Sequence, residues 1–97
     1  MRTLIKFTIP VEAGNAGISD GTLPKVIGEV VDRLKPEAAY FFPDRGLRSG
    51  IMVFDMKDAS DIPSVVEPLF RGLNASVEIM PAMNADDLKK GLAKVSR

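Results

Sequence analysis

Cysteine and histidine are both missing from this sequence. The first absence excludes disulfides, thiolate metal sites and cysteine nucleophiles. The second removes the commonest general base and the commonest transition-metal ligand. Chemistry therefore has to run on carboxylates, Lys, Arg, Tyr, hydroxyls or backbone, and neither a metal nor a cofactor is expected. Net charge is missing too, because thirteen basic residues balance thirteen acidic ones. No long-range field draws in nucleic acid or an acidic membrane surface, so neither is expected as a partner. The opening segment MRTLIKFTIP carries Arg2 and Lys6 and has no apolar run suited to a signal peptide or membrane span. A cytoplasmic location is the expectation that follows.

What is present suits one folded domain over residues 1–97: the chain is 45% hydrophobic and 27% charged, too apolar to stay disordered and too short for a second core. Ile5, Phe7 and Ile9 alternate with Leu4, Lys6 and Thr8, the period of two of a half-buried strand, and Pro10 ends it. The next segment, VEAGNAGISD, is rich in Gly, Asn and Asp and reads as a loop or a single helical turn. Leu23, Val26, Ile27, Val30, Val31 and Leu34 then fall on one helical stripe, with Thr22 as a cap and Pro24 in the first turn. Pro36 stops that helix. AAYFFP (38–43) reads as a strand, DRGLRSG (44–50) as a turn and IMVFDM (51–56) as the returning strand.

The helical pattern repeats thirty-nine residues on at Ile62, Val65, Val66, Leu69, Phe70 and Leu73, followed by the strand SVEIMP. Asp61 takes the capping place of Thr22. Pro68 lies inside this second helix, where it removes a backbone donor and crowds the carbonyl of Ser64. The order is β-α-β-β-α-β, which predicts an α+β, ferredoxin-like antiparallel sheet. Asn84, Asp86 and Asp87, followed by Leu88, Leu92 and Val95 with Lys89, Lys90, Lys94 and Arg97, describe an added C-terminal helix with acids early and bases late.

The two hairpin strands are apolar at nearly every position, so both of their faces call for burial. Leu4, Met52, Phe54 and Met80, with aromatic surface from Tyr40, Phe41 or Phe42, are expected on the face away from the helices. A patch of that size is not normally left bare. It predicts a homodimer closed sheet against sheet; a monomer covered by its own third helix is the alternative.

Lys6 and Glu78 are polar intruders in apolar strands, neighbours in a 4-1-3-2 strand order. With Thr8 and Tyr40 they form a candidate ligand site or acid-base pair; a cross-strand ion pair that fixes register explains them as well. Arg45 and Arg48 flank Gly46 and are candidates to clamp a carboxylate or phosphate, or belong to a solvated turn. Asn15, between Gly14 and Gly17, is a candidate for an anion cradle. Asp55, Asp58 and Asp61 recur every three residues, but no EF-hand pattern accompanies them, and Asp61 serves as a cap.

The strings PVEAGN, DGTLPKVIGEV, LKPEAAYF, FDMKDASDIPSVVEPLF and LNASVEIMPAMNADDLKKGL resemble small, uncharacterised bacterial proteins of the dimeric α+β barrel group. The resemblance implies a ferredoxin-like protomer dimerising through its sheet. It transfers no activity, and the His used by several members of that wider group has no counterpart here. Three functions remain open: a small-molecule-binding or accessory homodimer, a cofactor-free isomerase or oxygenase acting on an organic acid or aromatic in the dimer cavity, and a structural interaction module.

Overall fold

The computed structural model describes residues 1–95; Arg97, expected among the bases of the terminal helix, lies outside them. The chain runs β1 (Arg2–Ile9), α1 (Val11–Asp20), α2 (Thr22–Leu34), β2 (Ala38–Asp44), β3 (Leu47–Asp55), a 3-10 turn (Ala59–Asp61), α3 (Ile62–Leu73), β4 (Ser76–Pro81) and α4 (Ala85–Val95). It is an α+β protein with one four-stranded antiparallel sheet in the order β2-β3-β1-β4.

Alternation along β1 decides what each face carries. Thr3, Ile5, Phe7 and Ile9 are buried, and the last three meet Val26 and Val30 of α2 and Val65, Val66, Leu69 and Leu73 of α3 in one apolar cluster. In an antiparallel pair, directly opposite residues share a face. Met52 lies opposite Ile5 and Phe54 opposite Thr3, so both belong to the helix side. This corrects the expectation that Met52 and Phe54 occupy the open face: they are 0% and 2% exposed. Phe41 pairs with Gly50, itself opposite Phe7, and is on the helix side as well.

The hairpin is tighter than expected. Its loop is Arg45 and Gly46 alone, with φ of 54° and 79°, the two positive values of a type I′ turn that matches the twist of the flanking strands. Ser49 and Gly50 resemble turn residues but belong to β3. Gly50 is there because a Cβ would lie 2.6 Å from Phe7 Cζ and 2.9 Å from Phe41 Cδ1. The two rings close over it, with centroids 6.3 Å apart.

VEAGNAGISD is a ten-residue helix, not the expected loop or single helical turn. Its glycines mark close approach rather than a turn. A Cβ at Gly14 would sit 2.5 Å from Arg48 Nη1, and one at Gly17 would sit 2.9 Å from Leu23 Cβ. Gly21, at φ 81°, ends α1 and opens α2. The Thr22 amide donates to Asp20 Oδ1 at 2.8 Å, so Asp20 takes the role expected of Thr22. Ahead of α3 the cap is likewise displaced, three residues before Asp61: Asp58 accepts from the Ser60 amide at 3.0 Å while Asp61 Oδ2 accepts from the Asp58 amide at 3.3 Å. Asp61 is thus the reciprocal partner of a capping box.

Pro68 sits inside α3 without ending it. The Ser64 carbonyl, deprived of its helical donor by Pro68, accepts instead from Arg33 Nη1 of α2 at 2.6 Å. Residue α4 positions are all outside the core, since no residue of that helix is buried. Its start is fixed by a second reciprocal cap, Asp87 N to Asn84 Oδ1 at 2.8 Å and Asn84 N to Asp87 Oδ2 at 3.1 Å. Asp87 Oδ2 also accepts from Arg2 Nη1 at 2.6 Å. The molecule measures 56 × 28 × 17 Å.

Replacing Arg33 by Met should lower stability by about 0.5–1.5 kcal/mol, the usual net value of a hydrogen bond. In a Pro68→Ala background, where residue 68 supplies its own donor, the loss should shrink; urea unfolding of the four proteins measures that coupling. Asp55 gives a second expectation. Lys57 and then the N-terminal ammonium bond its carboxylate and hold its pKa down at about 2, below the ordinary 3.8. A depressed folded pKa means stability present above the unfolded value and lost as pH falls through the folded one. The urea midpoint should therefore decline between about pH 4 and pH 2, and less steeply in Asp55→Asn.

Candidate functional site

The open face of the sheet presents side chains in rows set by the register. One row is Ala38, Val53, Leu4 and Met80, and the next is Tyr40, Ile51, Lys6 and Glu78. The third is Phe42, Ser49, Thr8 and Ser76. Lys6, Thr8, Tyr40 and Glu78 are therefore brought onto one face in two adjacent rows, as expected from the period of β1. The first row is apolar and the later ones turn polar toward the hairpin tip.

At that polar end lies a shallow hollow of about 320 Å³ lined by Lys6, Thr8, Asp44, Arg45, Leu47, Ser76 and Glu78. Lys6 and Glu78 are direct cross-strand neighbours, but the ion pair expected between them is made elsewhere. Lys6 Nζ lies 2.8 Å from Asp44 Oδ2, with the two side chains about one-third exposed. The lysine stem is long enough to pass over β3 to the end of β2. The Lys6 hydrogen bond, followed by its charge, holds the Asp44 carboxyl below the ordinary carboxylate range. Among the described residues Glu78 has no ion pair. Two cations, two carboxylates and the hydroxyls of Thr8 and Ser76 thus border one space, a balanced set that suits a small polar molecule without net charge.

Arg48 and Asn15 belong to the other side of the sheet. Arg48 lies opposite Ile9, so it faces α1, where its Nη2 donates to Asn15 Oδ1 at 3.2 Å. Arg45 and Arg48 are therefore separated by the sheet and do not form one clamp. Arg48 stands at the mouth of an apolar groove of about 640 Å³ between the first half of α2 (Leu23, Pro24, Ile27, Gly28) and the hairpin (Phe41, Phe42, Pro43), floored by Phe7 and Ile9.

No protein-family model and no curated protein matches this chain. The assignment rests on the two faces themselves.

Asp44 was the missing member of the open-face site. The sequence alone suggests a turn for it, yet Asp44 ends β2 two residues beyond Phe42, on the same face as Lys6. The groove is not legible in the sequence, which offers Phe41 as surface for the open face, whereas the register puts it on the helix side with Phe7. The three regularly spaced acids serve separately: Asp55 bonds the N-terminus, and Asp58 and Asp61 cap the 3-10 turn.

The Lys6–Asp44 pair can be read directly. In a carboxyl-detected NMR titration Asp44 should titrate below its ordinary value in the wild type and move upward in Lys6→Met. Any stability linked to Asp44 is present above its unfolded pKa and lost as pH falls, so Lys6→Met should also flatten that part of the acid response.

Proposed function

We propose that the protein is a small-molecule-binding or accessory homodimer, a ferredoxin-like protomer that closes sheet to sheet in the manner of the dimeric α+β barrels. The helix α1 is then an addition between the first strand and first helix of the six-element order. The observation that carries this reading is the open sheet face, where Leu4, Ile51, Val53 and Met80 stand beside an exposed Tyr40, and Met80 and Tyr40 are 43% and 64% exposed.

Area favours a second copy with α4 taking part. Four strands at ~4.8 Å and six residues at ~3.3 Å give a face of roughly 400 Å² in plane. A stable pair buries ~800 Å² on each partner. The additional apolar surface available is the α4 stripe of Leu88, Leu92 and Val95, which are 46%, 57% and 78% exposed. A twofold pairing would bring the two polar hollows between the sheets, where exclusion of water strengthens every contact that Lys6, Arg45 and Glu78 make.

A cofactor-free enzyme is the second reading, favoured by one observation: Glu78 borders the hollow next to Lys6 and has no ion pair among the described residues, which leaves its carboxylate free to act on a bound organic acid or aromatic.

Sedimentation velocity at micromolar concentration should give twice the 10.5 kDa of the chain, and Met80→Glu should return it to the monomer mass with its circular dichroism unchanged. A wild-type monomer would overturn the dimer. A crystal structure of protein as purified should then show an occupied hollow beside Lys6 and Glu78; a dimer packed without a void there leaves only an interaction module.

A further inference from the structure

We propose that the groove between α2 and the β2–β3 hairpin binds an apolar monocarboxylate, its carboxylate held by Arg48 and Asn15 and its hydrocarbon laid along Ile27, Phe41 and Pro43. This site is on the opposite side of the sheet from the hollow above, and the inference does not depend on the dimer.

Charge at the groove mouth selects the head group. Among the described residues no carboxylate pairs with Arg48, whose partner is the neutral Asn15 amide oxygen at 3.2 Å. A guanidinium in that setting keeps donors to spare, and its planar fork matches a carboxylate in two parallel bonds. Asn15 retains its amide N–H donors for the same anion. Ser49 also borders the groove, but its side chain belongs to the open-face row with Thr8, which leaves Arg48 as the polar side chain lining it from this side. One cation and one amide balance a monoanion. A phosphate dianion would bring a second charge that this pair does not balance.

The walls select the tail. Phe7 and Ile9 form an apolar floor, 2% exposed each, while Phe41 remains 55% exposed. A volume of about 640 Å³ falls within the range of small-ligand sites, roughly 300–1,000 Å³. Such a groove gains by covering the ring of Phe41, at ~25 cal/mol per Å² of apolar surface removed from water. Gly28 leaves the wall open: a Cβ there would meet nothing within 4 Å.

Octanoate and 1-octanol, which share a tail and differ in the head group, are the probes, followed by amide chemical shifts in the labelled full-length protein. Octanoate should shift Leu23, Gly28, Phe41 and Arg48, and should bind about tenfold or more tightly than octanol, the value of a charge-assisted hydrogen bond. Arg48→Gln should reduce octanoate to the level of octanol and leave octanol unchanged. Gly28→Leu, which fills the groove from an open position, should weaken both; thermal unfolding confirms that each variant is folded. Equal binding of the two probes, an unchanged octanoate affinity in Arg48→Gln, or shifts confined to the Lys6 and Arg45 face would each overturn the proposal.

Discussion

The register of β1 is the constraint on which everything else hangs. Its side chains alternate with a period of two between β3 and β4, so a slip of one residue would exchange its faces and send Lys6 into the core. Several contacts hold it. Phe7 has room only because residue 50, directly opposite, has no side chain, and the N-terminal ammonium bonds Asp55 at 2.7 Å and the Met56 carbonyl at 2.9 Å. Thr3, buried on the core side, donates its hydroxyl to the Met1 carbonyl at 3.0 Å. Lys6 and Phe7 are adjacent in sequence, yet one borders a polar hollow and the other floors an apolar groove. Both sites are thus properties of a single strand and cannot be shifted independently.

Much of the framework was legible in the sequence, because the strongest signals were periodic. The stripes of α2 and α3, the alternation in β1 and the acids at the start of α4 all correspond to observed elements. Signals that failed were those carried by single glycines. Gly14 and Gly17 weaken a helix locally, and their reason, the Arg48 guanidinium and Leu23 pressing against them, is a tertiary contact with no trace nearby in the chain. Gly50 misled in the same way, lengthening the turn on paper while serving ring packing in space.

The candidate site was half legible for a related reason. Alternation, together with the 4-1-3-2 strand order, puts Lys6, Thr8, Tyr40 and Glu78 on one face, and neither needs knowledge of loop length. Asp44, Arg45 and Arg48 depended on where the hairpin turned. A two-residue turn gives Asp44 to the open face and Arg48 to the helix side; a longer one leaves all three in solvent. Misjudging that loop therefore cost both the true partner of Lys6 and the separation of the two arginines.

The bond from Arg33 to the Ser64 carbonyl has a meaning for descent. Pro68 creates a vacancy in its own helix that a side chain from another helix fills, so positions 33 and 68 carry one joint requirement. A lineage that replaces Pro68 releases position 33 from the need for a long donor, whereas one that loses Arg33 first passes through a less stable intermediate. Drift at these two sites is accordingly ordered: the proline is the step that opens the way for the arginine.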